Sequence, residues 1–331
     1  MTRTRSVVPR CLWSMVVLVV LSAMVAGCDG KGSPTSRPDG ADPGSAPVGD
    51  SSITSGGTKR TFVLVQPPGQ SGPAPVVIMM HGARAAGLGR GLRGTLGLDS
   101  AAASHGIVTV YPDGDLETHS WHLGCCYDYA DNPVDVQFIS DLIDHLVGAG
   151  IADPDHVVVG GFSAGGFLAN ELGCQLSGKI TGVLTLAGGQ LRPPAFVDQV
   201  VSPPVEPCTV ERPVSHIAIT GTDDHAAPIE GYPDCADSPC GPGQRGYGPS
   251  MDTIDSWWRE FDDCDAPVTG SVTYESTTDT TSLARCAQGT FVGSAQVEGA
   301  SHSVADLRAG FDVTQAIIDL ALGQPPAWAA P

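Results

Sequence analysis

The sequence predicts a doubly wound α/β domain, a mostly parallel sheet with helices on both faces. Three observations predict it. Unbroken apolar runs of strand length recur, among them Pro75–Met80 (PVVIMM), Ile107–Tyr111 (IVTVY) and Val157–Gly160. Segments with helical spacing alternate with these runs, and small or turn-forming residues close them, as His81-Gly82 and Pro112-Asp113-Gly114 do. A strand covered on both faces loses the polar alternation of a half-exposed one, and helices must supply the cover.

Taken in order, Thr61–Val65 is a short strand, followed by the runs at 75–80 and 107–111. Val134–Val147 places Val134, Phe138, Ile139, Leu142, Ile143 and Leu146 on one helical face. Val157–Gly160 leads into a helix over Ala164–Leu176. Thr181–Leu186 and His216–Thr220 are further strands, and a Pro/Gly-rich excursion carrying cysteines occupies about 228–250. Residues 271–276, 281–286 and 291–297 alternate like strands, and Val304–Leu322 reads as one final helix.

The first 28 residues read as an export signal. Arg3, Arg5 and Arg10 precede the apolar stretch Leu12–Ala26, which ends in Val25-Ala26-Gly27-Cys28. That ending resembles the lipobox of bacterial lipoproteins, so Cys28 is the expected lipidation site. A single N-terminal membrane anchor is the competing reading. Either way the rest is expected outside the cytoplasm, held to a bacterial membrane. Residues 29–57 are Gly, Pro, Ser and Asp with few apolar residues, and are expected to form a flexible tether. The catalytic domain is then 58–331. Its 41% apolar composition (whole chain) suffices for a packed core.

Loss of the signal leaves 14 basic against 36 acidic residues, a net of −22. Such a surface repels nucleic acid and anionic lipid, so neither is an expected partner. Ten cysteines less Cys11 and Cys28 leave an even eight. In an oxidising compartment these point to disulfides. Neither a C-x-x-C pair nor a His cluster supports a metal site.

The strongest chemical signal is Gly161-Phe162-Ser163-Ala164-Gly165, which follows an apolar strand and opens a helix. Small flanking residues let a tight strand-to-helix turn expose the serine oxygen, the nucleophile elbow of the α/β-hydrolase fold. A serine hydroxyl needs a base, and the base needs an orienting carboxylate, in the chain order Ser, acid, His. The strand at 216–220 ends in Gly221-Thr222-Asp223-Asp224, placing Asp224 or Asp223 at a strand end. His302, after the strand at 291–297, is the expected base; His225 lies too close to the acid in sequence to be oriented by it. Ala164 is one oxyanion donor. Ala83, in His81-Gly82-Ala83, is the other, with Arg84 next, and His81 is expected to hold this loop by hydrogen bonding. Trp121 is a candidate pocket wall. This chemistry needs no metal or organic cofactor.

Together these features resemble the poly(3-hydroxybutyrate) depolymerase and feruloyl esterase family, including its small secreted lipoprotein members. The resemblance rests on HGA at 81–83, YPDG at 111–114, Trp121 before Cys125-Cys126, and VDVQF at 134–138. It continues through DPDHVVVGGFSAGG at 153–166, GTDDHAAP at 221–228, WW at 257–258, Cys264, Cys286, and GASH at 299–302. It implies Asp224 rather than Asp223 as the acid. It also implies a Cys264–Cys286 disulfide, with one cysteine after the tryptophan-bearing helix and the other before the strand that leads to the histidine. Cys235 and Cys240 are neighbours that could close a small loop, and Cys125, Cys126, Cys174 and Cys208 are left to pair among themselves. Where the family often continues its histidine with Trp-Pro-Gly, this chain has Ser303-Val304-Ala305, which removes an aromatic wall near the base. No polymer-binding module is expected after the catalytic domain, so soluble or short-chain esters are expected over solid polyester. The implied activity is hydrolysis of small esters or oligoesters by a monomer. Acyl transfer, peptide hydrolysis and a catalytically silent binding role are the alternatives.

Overall fold

The computed structural model describes residues 48–122, 133–189, 210–231 and 249–329. Ten strands form one sheet in the order β1-β2-β4-β3-β5-β6-β7-β10-β9-β8. They are β1 (Val48–Ser55), β2 (Thr58–Val65), β3 (Ala74–Met80), β4 (Val108–Pro112), β5 (Ala152–Phe162), β6 (Gly182–Leu186), β7 (Ser215–Gly221), β8 (Val268–Tyr274), β9 (Thr277–Arg285) and β10 (Phe291–Val297). The six central strands, β4-β3-β5-β6-β7-β10, are parallel, and an antiparallel pair extends each edge.

Among the described residues, seven α-helices cover the two faces: α1 (Leu88–Leu96), α2 (Asp99–Ser104), α3 (Pro133–Gly148), α4 (Ala164–Gln175), α5 (Met251–Phe261), α6 (Val304–Gly310) and α7 (Val313–Ala321). Successive strand residues alternate between two cores. Val77, Met79 and Val158 join Leu96 of α1, Leu307 of α6 and Ile317 of α7. Val76, Ile78 and Val159 join Phe138 and Leu142 of α3, Leu172 of α4 and Trp258 of α5. Burial on both sides is why these strands read as continuous apolar runs.

Two expectations need correction. The tether does not extend through 48–57, because these residues form β1 and its turn. Gly56 and Gly57, at φ 55° and 81°, make the two-residue connection that pairs Ser55 with Thr58. A turn with both central residues at positive φ matches the twist of the flanking strands, and glycine adopts it without strain. Ile53 packs onto the core, and the Ser55 hydroxyl donates to Asp141 Oδ2 at 2.7 Å. The final helix is also two. Phe311 is extended (φ −148°, ψ 148°), and the Asp312 side chain restarts the chain as α7 by accepting from the Gln315 N–H at 3.0 Å.

Cys264 and Cys286 form the disulfide that the resemblance implies, joining the end of α5 to the end of β9. Cys174 is also disulfide-bonded. Cys28, Cys125, Cys126, Cys208, Cys235 and Cys240 lie outside the described residues, as do the export segment and most of the excursion at 228–250. Among the described residues, no helix is long and apolar enough to cross a membrane.

Candidate active site

Four parallel strands, β3, β5, β7 and β10, deliver the site from their carboxyl-terminal ends. β5 ends at Phe162 and α4 begins at Ala164, so Ser163 is the whole turn, held at φ 53° and ψ −120°. A non-glycine residue in that region is strained by roughly 1–3 kcal/mol. Two glycines make the turn sterically possible. A Cβ on Gly161 would lie 2.3 Å from the Gly165 carbonyl carbon, and one on Gly165 would lie 2.2 Å from the Met80 carbonyl oxygen. The Ser163 N–H donates to the Leu186 carbonyl at 2.9 Å, tying the turn to β6.

Asp224 follows β7 and His302 follows β10. The Ser163 hydroxyl donates to His302 Nε2 at 2.9 Å, and His302 Nδ1–H donates to Asp224 Oδ2 at 2.8 Å. The other oxygen of Asp224 accepts the N–H groups of Ala226 and Ala227 at 2.8 and 2.7 Å. Asp224 is buried, at 2% exposure, whereas Asp223 and His225 beside it face solvent. The His302 ring packs against Phe162, with centroids 4.8 Å apart, and remains partly open to solvent.

The early loop lies against the nucleophile: a Cβ on Gly82 would meet the Ser163 Cβ at 3.3 Å. His81 fixes that loop. Its Nδ1–H donates to the Gly82 carbonyl at 2.8 Å, and its Nε2 accepts from the Gly114 N–H at 2.9 Å. Burial lowers its pKa, so the ring stays neutral with one donor and one acceptor. Ala83 is exposed beyond this loop, and Ala164 is the first residue of α4, where the N–H has no partner within the helix. Arg84 has a left-handed backbone, φ 54°.

Trp121, the candidate pocket wall, lies inside the core. It is 1% exposed, its ring lies 4.9 Å from the His81 ring, and its indole N–H donates to the His81 carbonyl at 2.7 Å. A large aromatic with a polar edge is used here to brace the loop from beneath.

That brace has further support which the sequence reading missed. Buried Asp135 accepts from Arg60 Nη2 at 2.7 Å and from the His122 N–H at 2.7 Å, and the Arg60 guanidinium sits 4.0 Å above the Phe138 ring. Asp113 accepts from the Thr61 hydroxyl at 2.6 Å and the Gly89 N–H at 3.0 Å. Both acids lie inside quoted motifs, YPDG and VDVQF. Their partners are far away in sequence, so spacing could not assign them roles. Among the described residues, no group of three or more His, Cys, Asp or Glu is placed to hold a metal.

This sheet, with its strand-end Ser, Asp and His, has the architecture of the α/β-hydrolase fold. Residues 129–229 match the phospholipase/carboxylesterase family model. The chain is 30% identical over 195 residues to "Putative esterase NocK" of Nocardia uniformis subsp. tsuyamanensis, covering 56% of this chain and 52% of that protein. It is 34% identical over 82 residues to feruloyl esterase B of Piromyces equi, covering 24% and 15% respectively. The chain thus spans about half the length of the first of these relatives and less of the second. The acetyl xylan esterase structure from Aspergillus awamori superposes with a TM-score of 0.57 at 13% identity, over 82% of this chain and 99% of that one, a likeness of fold.

Proposed function

We propose that the protein is a serine esterase that hydrolyses carboxylic esters through an acyl-enzyme. The observation that carries this reading is the unbroken hydrogen-bonded line Ser163 Oγ–His302–Asp224 at 2.9 and 2.8 Å. Ser163 Oγ attacks the ester carbonyl carbon and its proton passes to His302 Nε2. Asp224 holds the imidazole in the tautomer that presents Nε2 as acceptor, and stabilises the imidazolium. The oxyanion receives the N–H groups of Ala164 and Ala83, each such donor contributing about 3 kcal/mol in comparable sites. Collapse expels the alcohol, which takes the proton from His302, and water attacking the acyl carbon by the same route restores Ser163.

Similarity to proteins named as esterases supports ester over peptide substrates. The finer assignment is to short-chain, hydroxyalkanoate-oligomer or feruloyl esters, as the family motifs imply. The basic, apolar, Cys28-terminated leader supports export and attachment to a bacterial membrane through lipid. A panel of short p-nitrophenyl esters, methyl ferulate and hydroxybutyrate oligomers tests the reading, run beside Ser163→Ala. Turnover that vanishes in the variant is the expected result. A folded wild type that turns over none of them and takes up no fluorophosphonate would leave only a binding role.

A further inference from the structure

His302 stands in a connection of six residues, 298–303, between the end of β10 and the start of α6. Downstream it is anchored at once. Ser303 caps α6 by accepting the Asp306 N–H at 3.3 Å, and the Ser301 hydroxyl donates to Asp306 Oδ2. Upstream, three hydrogen bonds stitch the end of β10 and the connection to the loop that carries Asp224. The Thr222 N–H donates to the Val297 carbonyl at 2.9 Å, and the Asp223 N–H donates to the Ala300 carbonyl at 3.1 Å. The Gly299 N–H donates to the Thr222 hydroxyl oxygen at 2.8 Å. The two backbones are in close contact, since a Cβ on Gly221 would lie 2.0 Å from the Ala300 carbonyl oxygen.

β9 supplies a further hold. Its ladder with β10 ends at the pair Thr280–Gln296, and one residue beyond, the Asp279 side chain takes over. Its Oδ1 accepts the Glu298 N–H at 2.9 Å. Asp279 is fully buried, and its Oδ2 has no hydrogen-bond partner among the described residues. Burial raises its pKa, against the opposing pull of the Glu298 N–H. A carboxyl group so placed costs stability. The one side-chain bond it makes among the described residues goes to the connection that bears His302. Asp279 and Thr222 therefore grip two consecutive N–H groups, those of Glu298 and Gly299, from two different strands.

We infer that Asp279 and Thr222 are positioning residues for the general base. They hold the connection that bears His302 against the Asp224 loop, so that Nε2 stays within reach of the Ser163 hydroxyl through both acyl-transfer steps. A base displaced by about 1 Å loses on the order of 10²-fold in rate. The inference rests on the reading of Ser163, His302 and Asp224 as the catalytic line. Thr222→Val removes the acceptor and keeps the shape, whereas Thr222→Ser keeps the hydroxyl. Asp279→Leu and Asp279→Asn make the same contrast, because the amide retains a carbonyl oxygen. On p-nitrophenyl acetate, Thr222→Val and Asp279→Leu should each lower kcat by about ten- to a hundredfold, with KM within about twofold. Thr222→Ser and Asp279→Asn should stay within about threefold of the wild type. Thr222→Val combined with Asp279→Leu should lose less than the product of the two single losses, because both act on one segment. Should Asp279→Leu fail to fold, Asp279→Ala takes its place.

A readout independent of turnover is the His302 Nδ1–H proton resonance in histidine-labelled protein, which is protected from exchange while the bond to Asp224 is held. It should be present in the wild type and in Thr222→Ser, and broadened away in Thr222→Val. An unchanged kcat, with the loss confined to thermal unfolding, would overturn the inference, as would equal losses in Thr222→Val and Thr222→Ser. If the wild type turns over no ester and takes up no fluorophosphonate, the catalytic reading fails, and the resonance still decides the hold on His302. Its loss in Thr222→Val then supports the hold, and its persistence removes it.

Discussion

Asp224 and Asp255 are equally buried, at 2% exposure each, yet they sit in opposite surroundings. The strand-end region gives Asp224 three donors, the N–H groups of Ala226 and Ala227 and the His302 ring. Among the described residues, Asp255 Oδ1 in α5 has no hydrogen-bond partner, and neither has Trp257 Nε1 two positions on. Burial accordingly pushes the Asp255 pKa up to about 7, against the weaker opposing pull of the Ser294 hydroxyl and Arg259. Asp262, at the other end of the helix, is also raised by burial to about 7. Withdrawal from water does not settle what a carboxyl group does; the donors supplied in its place do. Backbone N–H groups are gathered where a carboxylate faces a histidine, whereas the two α5 acids have their pKa values raised by burial.

The strongest way to break the comparison is at the donors' side. Asp224→Asn keeps the shape but offers His302 an amide, and should lower kcat by about 10⁴-fold; Ser163→Ala should lower it by about 10⁶-fold. Both should leave the fold intact, checked by thermal unfolding beside the ester assay. Equal activity in wild type and Asp224→Asn would mean the three donors serve stability alone.

The α5 carboxyls make the next largest prediction. Their folded pKa values lie above the unfolded carboxylate value near 3.8, so between about pH 4 and 7 the folded chain holds protons that the unfolded chain has lost. Each group's contribution is therefore lost as pH rises through that window, by up to about 1.4 kcal/mol per pH unit. His216, whose pKa burial lowers to about 3, acts oppositely, since its neutral folded form costs stability as pH falls below 6.5. The wild-type profile is thus partly cancelled, and the difference between variant and wild type is the cleaner readout. Asp255→Asn and Asp262→Asn should each gain on the wild type as pH rises from 4 to 7, measured by urea unfolding. A difference that does not change with pH would overturn the raised pKa of that acid.

Smaller effects sharpen the boundary between the regions. Cys264→Ala with Cys286→Ala opens a loop of 22 residues at the foot of α5, and should cost about 3 kcal/mol on a chain-entropy estimate. Trp121→Phe keeps a ring under His81 but leaves the His81 carbonyl short of a buried donor, at a cost of about 1–3 kcal/mol. If Trp121 positions the oxyanion loop, kcat should fall in this variant with KM little changed. A loss confined to stability would make it packing alone.

The sheet and the strand-end placement of Ser163, Asp224 and His302 were legible because each has a local signature. A strand buried on both faces is apolar at every position, as β3 and β5 are. Ser163 needs small neighbours on either side, and Asp224 and His302 follow strands directly. Features that depend on distant partners were not legible. Trp121 reads as a pocket residue until the His81 carbonyl is seen to accept its N–H. Arg60 and Asp135, 75 positions apart, have no pattern that announces their ion pair. β1 escaped for another reason: its polar composition resembles a linker, although Gly56-Gly57 is a hairpin signal that could have found it. The break in the last helix turns on one extended residue, Phe311, and a capping aspartate, Asp312, inside an otherwise helical apolar pattern.

The spacing of the site along the chain has a consequence for biosynthesis. Ser163 and His302 are 139 residues apart, and β10, which carries the chain to His302, inserts between β7 and β9 as the last strand to be made. The turn holding Ser163 can form early, but the hydroxyl has no base until the carboxyl-terminal part of the polypeptide has emerged and docked. Long-range pairing of this kind is also the slow part of folding. On the proposed reading, competence waits for residue 302, and a chain cut short before it carries a serine with no histidine to take its proton.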